Sequence, residues 1–424
     1  MRCSTKKIDD NAWVGFAPTV VFRGLEKPHL FDLRRDELYE LDQEGLAFLG
    51  EVDGTRRARE IRNRKLLAFC RRENLLAFFR KPEPRRLARG LSPRPSLRYL
   101  EVQLTSRCNL ACRHCYLGPA KKADLEPRRL YSVLDELDAM QGLRVLLSGG
   151  EPLLYPAFPE LNERVLDYGF RSVLLTNGIL LDQTLARGLR VPEVQISLDG
   201  MSAGHEALRG RGSFARAVKA ARAVVEAGLD LSLATMVHRA NLEEFDALEA
   251  LVRELGAREW SIDAPCPAGR LGSRSRFRVA PAEGAAAMAR AFGGSFHGSS
   301  EGFACGRHLA TVMPDGSVAQ CGFYADQPLG HLSESLRVCW SRRRHLPLRD
   351  LECADCEALK ECGGGCRFRA GGLGKDPVMC ALYGREQTSG VARGGAGLKP
   401  APTKGSGLIR RGRETAGSDR PGDD

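Results

Sequence analysis

Ten of the fourteen cysteines in this 424-residue chain fall into two bunches. Cys108, Cys112 and Cys115 form the first; Cys305, Cys321, Cys353, Cys356, Cys362, Cys366 and Cys380 form the second. Cysteines bunched this closely in a long chain point to metal ligation rather than to the disulfide framework of a small secreted protein. The region around the second bunch, residues 303–383, is rich in Gly and poor in long apolar periodicity, so metal is expected to hold it together. At 46.5 kDa the chain exceeds what one core usually holds, and two or three domains are expected. A composition of 43% hydrophobic and 28% charged residues excludes wholesale disorder and a fibrous protein. No apolar run approaches the roughly 18 to 20 residues of a membrane-spanning helix. The opening MRCSTKKIDD lacks the apolar stretch of a secretory signal, so a cytoplasmic protein with no membrane partner is expected.

The net charge of +11 is uneven: residues 56–98 hold fifteen Lys and Arg against only Glu60, Glu73 and Glu83. Short strands are expected at 13–16, 19–22 and 29–33, broken by Pro18, Gly24 and Pro28. Leu38, Leu41, Leu46, Phe48 and Leu49 recur near helical spacing, and Leu66, Leu67, Phe69 and Cys70 mark one face of a further helix. Residues 1–80 therefore read as a winged-helix-like domain, followed by a Pro- and Arg-rich linker at 81–98. From Tyr99 onward, YLEVQLT, VLLSGG, SVLLTNG, VQISLDG, LSLATMV and WSIDAP alternate with amphipathic stretches such as 127–140, 214–227 and 242–255. This β/α alternation predicts a parallel sheet over 99–290, either an open doubly wound sheet or a full or partial barrel, with function at the strand C-terminal ends. A Cys-rich domain at 291–384 and a disordered tail at 385–424 complete the expected organisation.

The first bunch, Cys108-Asn-Leu-Ala-Cys112-Arg-His-Cys115-Tyr116, follows the first of these strands. Three thiolates from one loop can hold three irons of a 4Fe–4S cube and leave the fourth iron open. A structural zinc site is the alternative, but it would want a fourth ligand, and His114 is wedged between two thiols. The pattern resembles the signature of radical S-adenosylmethionine (SAM) enzymes. The resemblance implies that the open iron chelates the methionine end of SAM, and that reduction cleaves the sulfonium to a 5′-deoxyadenosyl radical that abstracts a substrate hydrogen. It also implies SAM-binding roles for Tyr116 and for the strand-end motifs: Gly149, Gly150, Glu151 and Pro152 in GGEP, Asn177 in TNG, Ser197 in SLDG, and Arg209 in the HEALRG stretch that follows. A turn for GGEP and a structural ion pair for Arg209 are the alternatives. Met236 and Val237 read either as adenine-pocket lining or as core.

The second bunch resembles the SPASM extension of the same enzymes, which carries two auxiliary 4Fe–4S clusters. By that resemblance Cys353, Cys356, Cys362 and Cys380 ligate an outer cluster, and Cys305, Cys321 and Cys366 an inner one. A fourth inner thiol found in some relatives just upstream has no counterpart in residues 292–304. The inner iron is then open, or takes Cys266, Cys339, a carboxylate or substrate. Cys339 sits in an apolar helical pattern and reads as core; Cys3 and Cys70 read as ordinary thiols. A pair of zinc sites is the alternative for this region. Relatives that mature sulfatases place an acidic base directly after the residue matching Cys321, where this chain has Gly322. That departure disfavours sulfatase maturation.

The segment beginning at Phe31, FDLRRDELYELDQEG, resembles the peptide-recognition (PqqD-like) domain of peptide maturases, in which a leader peptide adds a strand to a small sheet. A winged helix could instead bind DNA, and the basic run suits an acidic leader, phosphates or simply a solvated face. The resemblance implies a fold of a partial (β/α)6 TIM-type barrel flanked by these two domains. The function it implies is hydrogen abstraction from a ribosomally synthesised peptide to install a crosslink, with a reductase, flavodoxin or ferredoxin as electron donor and no nucleic-acid partner. The auxiliary clusters would take an electron or bind substrate. A radical step in tetrapyrrole or quinone-cofactor biosynthesis is the alternative within enzymes, and a zinc-bound regulatory or DNA-binding protein the alternative outside them.

Overall fold

The computed structural model describes residues 9–118, 123–272, 275–294 and 302–384, and the strand Leu408–Arg411. Cys3 and most of the 385–424 tail lie outside these. The chain divides into two compact units.

The first unit comprises the N-terminal residues to Ser96, the segment Ala139–Leu143 and the strand Leu408–Arg411. It is rich in sheet. β1 (Trp13–Phe16) is flanked antiparallel by β5 (Asp53–Arg57) and β6 (Leu76–Phe79), while β2 (Val20–Gly24), β3 (Pro28–Asp32) and β4 (Glu37–Leu41) form an antiparallel meander. Two helices, α1 (Gln43–Phe48) and α2 (Arg64–Arg72), start where Asp42 and Asn63 accept hydrogen bonds from the N–H groups of Gly45 and Leu66 at 2.8 and 3.0 Å. Phe16, Tyr39, Phe48, Leu67 and Leu75 lie in one core. Leu38 and Leu41, expected on a helix, are in β4 instead. The turn before them, with Asp36 at φ 63°, folds the chain back onto β3, and the ladder takes the backbone groups until the Asp42 cap starts α1. β5 and β6 were not foreseen either. The stretch expected as a linker is pinned to β5, with Glu83 N donating to Gly54 O and Arg85 N to Asp53 O. Part of the basic run is structural, since Arg57, Arg72 and Arg85 stack on Trp13, Phe69 and Phe79. In the tail expected to be disordered, Leu408–Arg411 pairs antiparallel with β4.

The second unit begins at Leu97 and contains all six strands expected from the β/α alternation. They are β7 (Tyr99–Gln103), β8 (Arg144–Ser148), β9 (Arg171–Thr176), β10 (Glu193–Ser197), β11 (Asp230–Met236) and β12 (Glu259–Asp263). All are parallel and lie in chain order, with α3 (Pro127–Ala139), α4 (Phe158–Arg164), α5 (Gln183–Gly188), α6 (Ser202–Arg209), α7 (Ser213–Glu226) and α8 (Phe245–Glu254) in the connections. Strands in unbroken chain order have no switch point, which decides against the doubly wound alternative. All of β8 is buried, as a strand covered on both faces must be. α3 opens on Pro127 and buries Leu130, Val133, Leu134 and Leu137 along one stripe. Beyond α9 (Pro281–Met288) the sheet continues: β13 (Leu309–Val312) pairs parallel with β7, then antiparallel with β14 (Ser317–Ala319), which pairs with β15 (Gly330–His331). The short helices α10 (Leu336–Ser341), α11 (Leu359–Cys362) and α12 (Pro377–Tyr383) complete the unit.

The two ends of the parallel sheet are chemically different. At the strand starts, Arg171 is fully buried between Glu193 at 3.0 Å and Asp230 at 2.5 Å, so that β9, β10 and β11 are tied by charge. The strand C-terminal ends carry the Gly-containing turns and the first cysteine loop. Replacing Arg171 with Met leaves Glu193 buried without its cation. It is expected to cost about 3–5 kcal/mol of stability, read as a fall in the thermal unfolding midpoint.

Candidate active site

The loop after β7 has little regular structure of its own and is held by its neighbours. Cys108, Cys112 and Cys115 lie near one another on it, each close enough to influence the ionisation of another. The Gly149–Gly150 turn at the end of β8 runs against the backbone of this loop: Gly150 N donates to Thr105 O at 2.7 Å and Glu151 N to Arg107 O at 2.8 Å. A Cβ at Gly149 would lie 2.4 Å from Thr105 O, and the residue also has φ +139°; a Cβ at Gly150 would lie 2.3 Å from Arg107 O. The glycines thus permit approach of backbone to the thiol loop, where the sequence suggested approach to a ligand.

Glu151 is fully buried and engaged on both oxygens. It accepts from Thr176 Oγ1 at 2.7 Å, Leu153 N at 3.2 Å and Asn177 N at 2.9 Å, and it caps the turn Pro152–Leu154. Burial raises its carboxyl above the ordinary range, against those hydrogen bonds and Arg209. Asn177 reaches the loop directly, with Nδ2 2.8 Å from Asn109 Oδ1 and 3.9 Å from Cys108 Sγ. Ser197 closes β10 beside Ala234 and is partly exposed.

Arg209 makes a buried ion pair. Its Nε donates to Asp199 Oδ2 at 2.5 Å, both side chains being buried. Asp199, which sequence reasoning passed over, is the hub of this end of the sheet. It accepts from Met236 N at 2.8 Å, its backbone oxygen accepts from Asn241 Nδ2 at 2.6 Å, and its carboxylate stands 3.9 Å from His114 Nε2. Burial alone would raise its carboxyl; Arg209, His114 and His205 more than reverse this and hold it well below the carboxylate range. Arg209 in turn lies near Cys112 and Cys108, where a cation favours thiolate. The end of α6 also grips the loop, since Arg113 donates from N and Nη1 to Leu208 O and Ala207 O at 2.9 and 2.6 Å. Val237 is fully buried, and Met236 packs with Leu208, Leu271 and Phe277.

Tyr116 donates to Glu101 Oε1 at 3.2 Å and accepts from Gln103 Nε2 at 3.3 Å. Glu101, also missed from the sequence, accepts from Ser148 Oγ at 2.7 Å and Thr311 Oγ1 at 3.0 Å, joining β7, β8 and β13. The Tyr116 ring packs on Phe323 at 5.3 Å, and Phe323 stacks on Phe368 at 5.1 Å. Gly322 lies beneath Tyr116, where a Cβ would be 2.9 Å from the ring.

The second bunch gathers in two sets. Cys362 neighbours Cys353, Cys356 and Cys380, while Cys305, Cys321 and Cys366 neighbour one another. Cys266, beyond β12, has its sulfur beside that of Cys366. Cys339 is wholly buried in α10 with its thiol on His331 O at 3.5 Å, and Cys70 is buried in α2. Among the described residues no three Cys, His, Asp or Glu side chains stand close enough to share one metal ion.

The radical SAM superfamily domain matches residues 102–252. The chain is 37% identical over 165 residues to the mycofactocin maturase of Mycobacterium ulcerans, spanning 37% of this chain and 45% of that relative. It is 30% identical over 323 residues to the PqqA peptide cyclase of Ruegeria pomeroyi, spanning 65% of this chain and 84% of that relative. The chain belongs to the radical SAM superfamily. It is a radical SAM enzyme, and the domain implies a 4Fe–4S cluster and SAM. The chain spans less than half the length of the mycofactocin maturases it matches. An AdoMet-dependent heme synthase of Nitratidesulfovibrio vulgaris is 25% identical over 355 residues, spanning 69% of this chain and 95% of that relative. In fold, the radical SAM chain is similar to Streptococcus suis SuiB bound to its precursor peptide SuiA, with a TM-score of 0.62, 16% identity, and 84% of this chain and 96% of that one covered. No described helix is long and apolar enough to cross a membrane.

Two outcomes follow from this geometry. His205 Nδ1 accepts from Asp199 N at 3.1 Å, and burial pushes the ring down to about 4. An unfolded chain takes up this proton near pH 6.5, so stability should fall as pH drops from about 6.5 to about 4. Melting curves of the cluster-free protein should show this, and His205→Asn should make the fall shallower, the similarly depressed His114 and His345 keeping the rest. Gly322→Ala should displace Tyr116 and cost about 1–3 kcal/mol, read in the same melts.

Proposed function

We propose that this radical SAM enzyme modifies a ribosomally made peptide by abstracting hydrogen from an unactivated carbon, with crosslink formation as the outcome. Cys108, Cys112 and Cys115 would hold the 4Fe–4S cluster, which supplies the electron that cleaves SAM to methionine and a 5′-deoxyadenosyl radical. The observation that carries this reading is the placement of three thiols on one loop at the strand C-terminal ends, gripped by Gly150, Asn177 and α6.

Each neighbouring residue has a part in this reading. Asn177 and Ser197 would contact SAM in this reading. Glu151 positions the Asn177 backbone, and Asp199 holds Arg209 near Cys108 and Cys112. Cys353, Cys356, Cys362 and Cys380 would hold an outer auxiliary cluster, and Cys305, Cys321 and Cys366 an inner one, in a SPASM-type domain. The Tyr116–Phe323–Phe368 stack spans from the radical loop to residues flanking the inner set.

A peptide substrate is favoured by the maturase and cyclase relatives and by the peptide-bound SuiB fold. In the N-terminal unit the β4 edge takes up a strand, Leu408–Arg411. That is the mode by which a PqqD-like domain would receive a leader peptide. A side chain at Gly322 would meet the Tyr116 ring, so the acidic residue of sulfatase maturation could stand there only with Tyr116 displaced. The protein would work in the cytoplasm with a flavodoxin, ferredoxin or reductase as donor.

Anaerobic reconstitution should give a brown protein with roughly 12 irons for three clusters. Replacing Cys108, Cys112 and Cys115 with Ala should abolish 5′-deoxyadenosine formation under dithionite while the auxiliary absorption remains. Persistent cleavage in that variant would remove the assignment of the radical site.

A further inference from the structure

We propose that Cys266 is the fourth thiolate of the inner auxiliary cluster, which is thereby closed by one ligand from the end of the parallel sheet and three from the Cys-rich region. This rests on the reading that Cys305, Cys321 and Cys366 hold a cluster, and it deepens that reading by naming the ligand that spacing left open.

Three observations carry it. Cys266 is buried, lies three residues past β12, and has its sulfur beside that of Cys366, which is itself the neighbour of Cys305 and Cys321. A fourth sulfur therefore lies beside one of the three. The loops that carry Cys266 and Cys366 are also fixed to each other. Arg369 donates from Nη1 to Ala264 O at 3.1 Å and grips Asp376 through Nε and Nη2 at 2.8 and 2.7 Å; Asp376 Oδ2 also accepts from Cys366 N at 2.8 Å. Asp376 is almost wholly buried, so this clamp is part of the packed structure and holds Ala264 two residues before one thiol and Cys366 at the other. Finally, the competing thiols are accounted for. Residues 292–304 contain no cysteine, and Cys339 is spent in the core on His331 O.

The consequence is functional. A cluster with thiolates on all its irons has no site for substrate and is suited to passing an electron, so the inner cluster of this chain takes the electron-transfer role of the two that its family resemblance allows.

The test uses the full chain carrying Cys108→Ala, Cys112→Ala and Cys115→Ala, so that only auxiliary clusters are present after anaerobic loading with iron and sulfide. Brief ferricyanide oxidation should leave this parent intact. In the same background Cys266→Ala should lose about one iron of the four in one cluster and give a three-iron EPR signal, because that iron lacks a protein thiolate. Cys266→Ser, which keeps the size of the side chain, should shift the EPR spectrum of the reduced cluster. Cys339→Ala should behave as the parent. Spectra and iron content of both Cys266 variants that match the parent would overturn the proposal alone. A parent that binds zinc and no iron would overturn the auxiliary-cluster reading together with it, and the two failures are told apart by the parent.

Discussion

The buried pair of Asp199 and Arg209 is the interaction on which this end of the molecule depends. A carboxylate taken out of water is costly, and it is tolerated here because a guanidinium at 2.5 Å and the Met236 N–H surround it. Those partners come from different places: the end of β10, the end of α6 and the end of β11. The thiol loop, which has almost no secondary structure of its own, leans on the same group through Arg113 and through His114 near the Asp199 carboxylate. Rigid strands thus fix a charge pair, the charge pair fixes a helix end, and the helix end fixes the loop that carries the three thiols. Glu151 does the parallel task from β8, joining the turn after that strand to the Thr176–Asn177 turn after β9.

A second line of organisation runs away from the loop. Glu101 draws Tyr116, Ser148 and Thr311 together, so the residue beside Cys115 is tied to strands on both sides of β7. Tyr116 then contacts Phe323, and Phe323 contacts Phe368, two residues past Cys366. Gly322 completes this arrangement by being small, which explains in packing terms a departure that sequence comparison could only note.

Much of this was legible beforehand because it is written in local pattern. A strand of a parallel sheet is buried on both faces, so LLS, VLLT and VQIS read as runs, and the polar or Gly residue that ends each run marks the functional edge. Cysteine spacing is equally local. The features that escaped notice depend on partners far away in sequence. Asp199 is one letter of SLDG, and nothing in the letter says that Arg209, Met236 and Asn241 converge on it. Glu101 looks like an ordinary strand carboxylate until Thr311 arrives two hundred residues later. Leu38 and Leu41 satisfied a helical spacing, yet the ladder with β3 decided their conformation. The glycines of GGEP could be read as a site of close approach, but nothing in those letters says that the backbone of the chain itself approaches them.

The Cys-rich region is not hung on the barrel-type sheet as a separate bead. Leu309–Val312 hydrogen-bonds in register along Tyr99–Val102, so the last module is stitched to the first strand of the catalytic sheet. A fragment ending before residue 309 would therefore expose a bare row of N–H and C=O groups on β7. Such an edge invites sticking between copies, and the minimal soluble version of this catalyst must retain the β13 seam even where its distal sulfurs are dispensable.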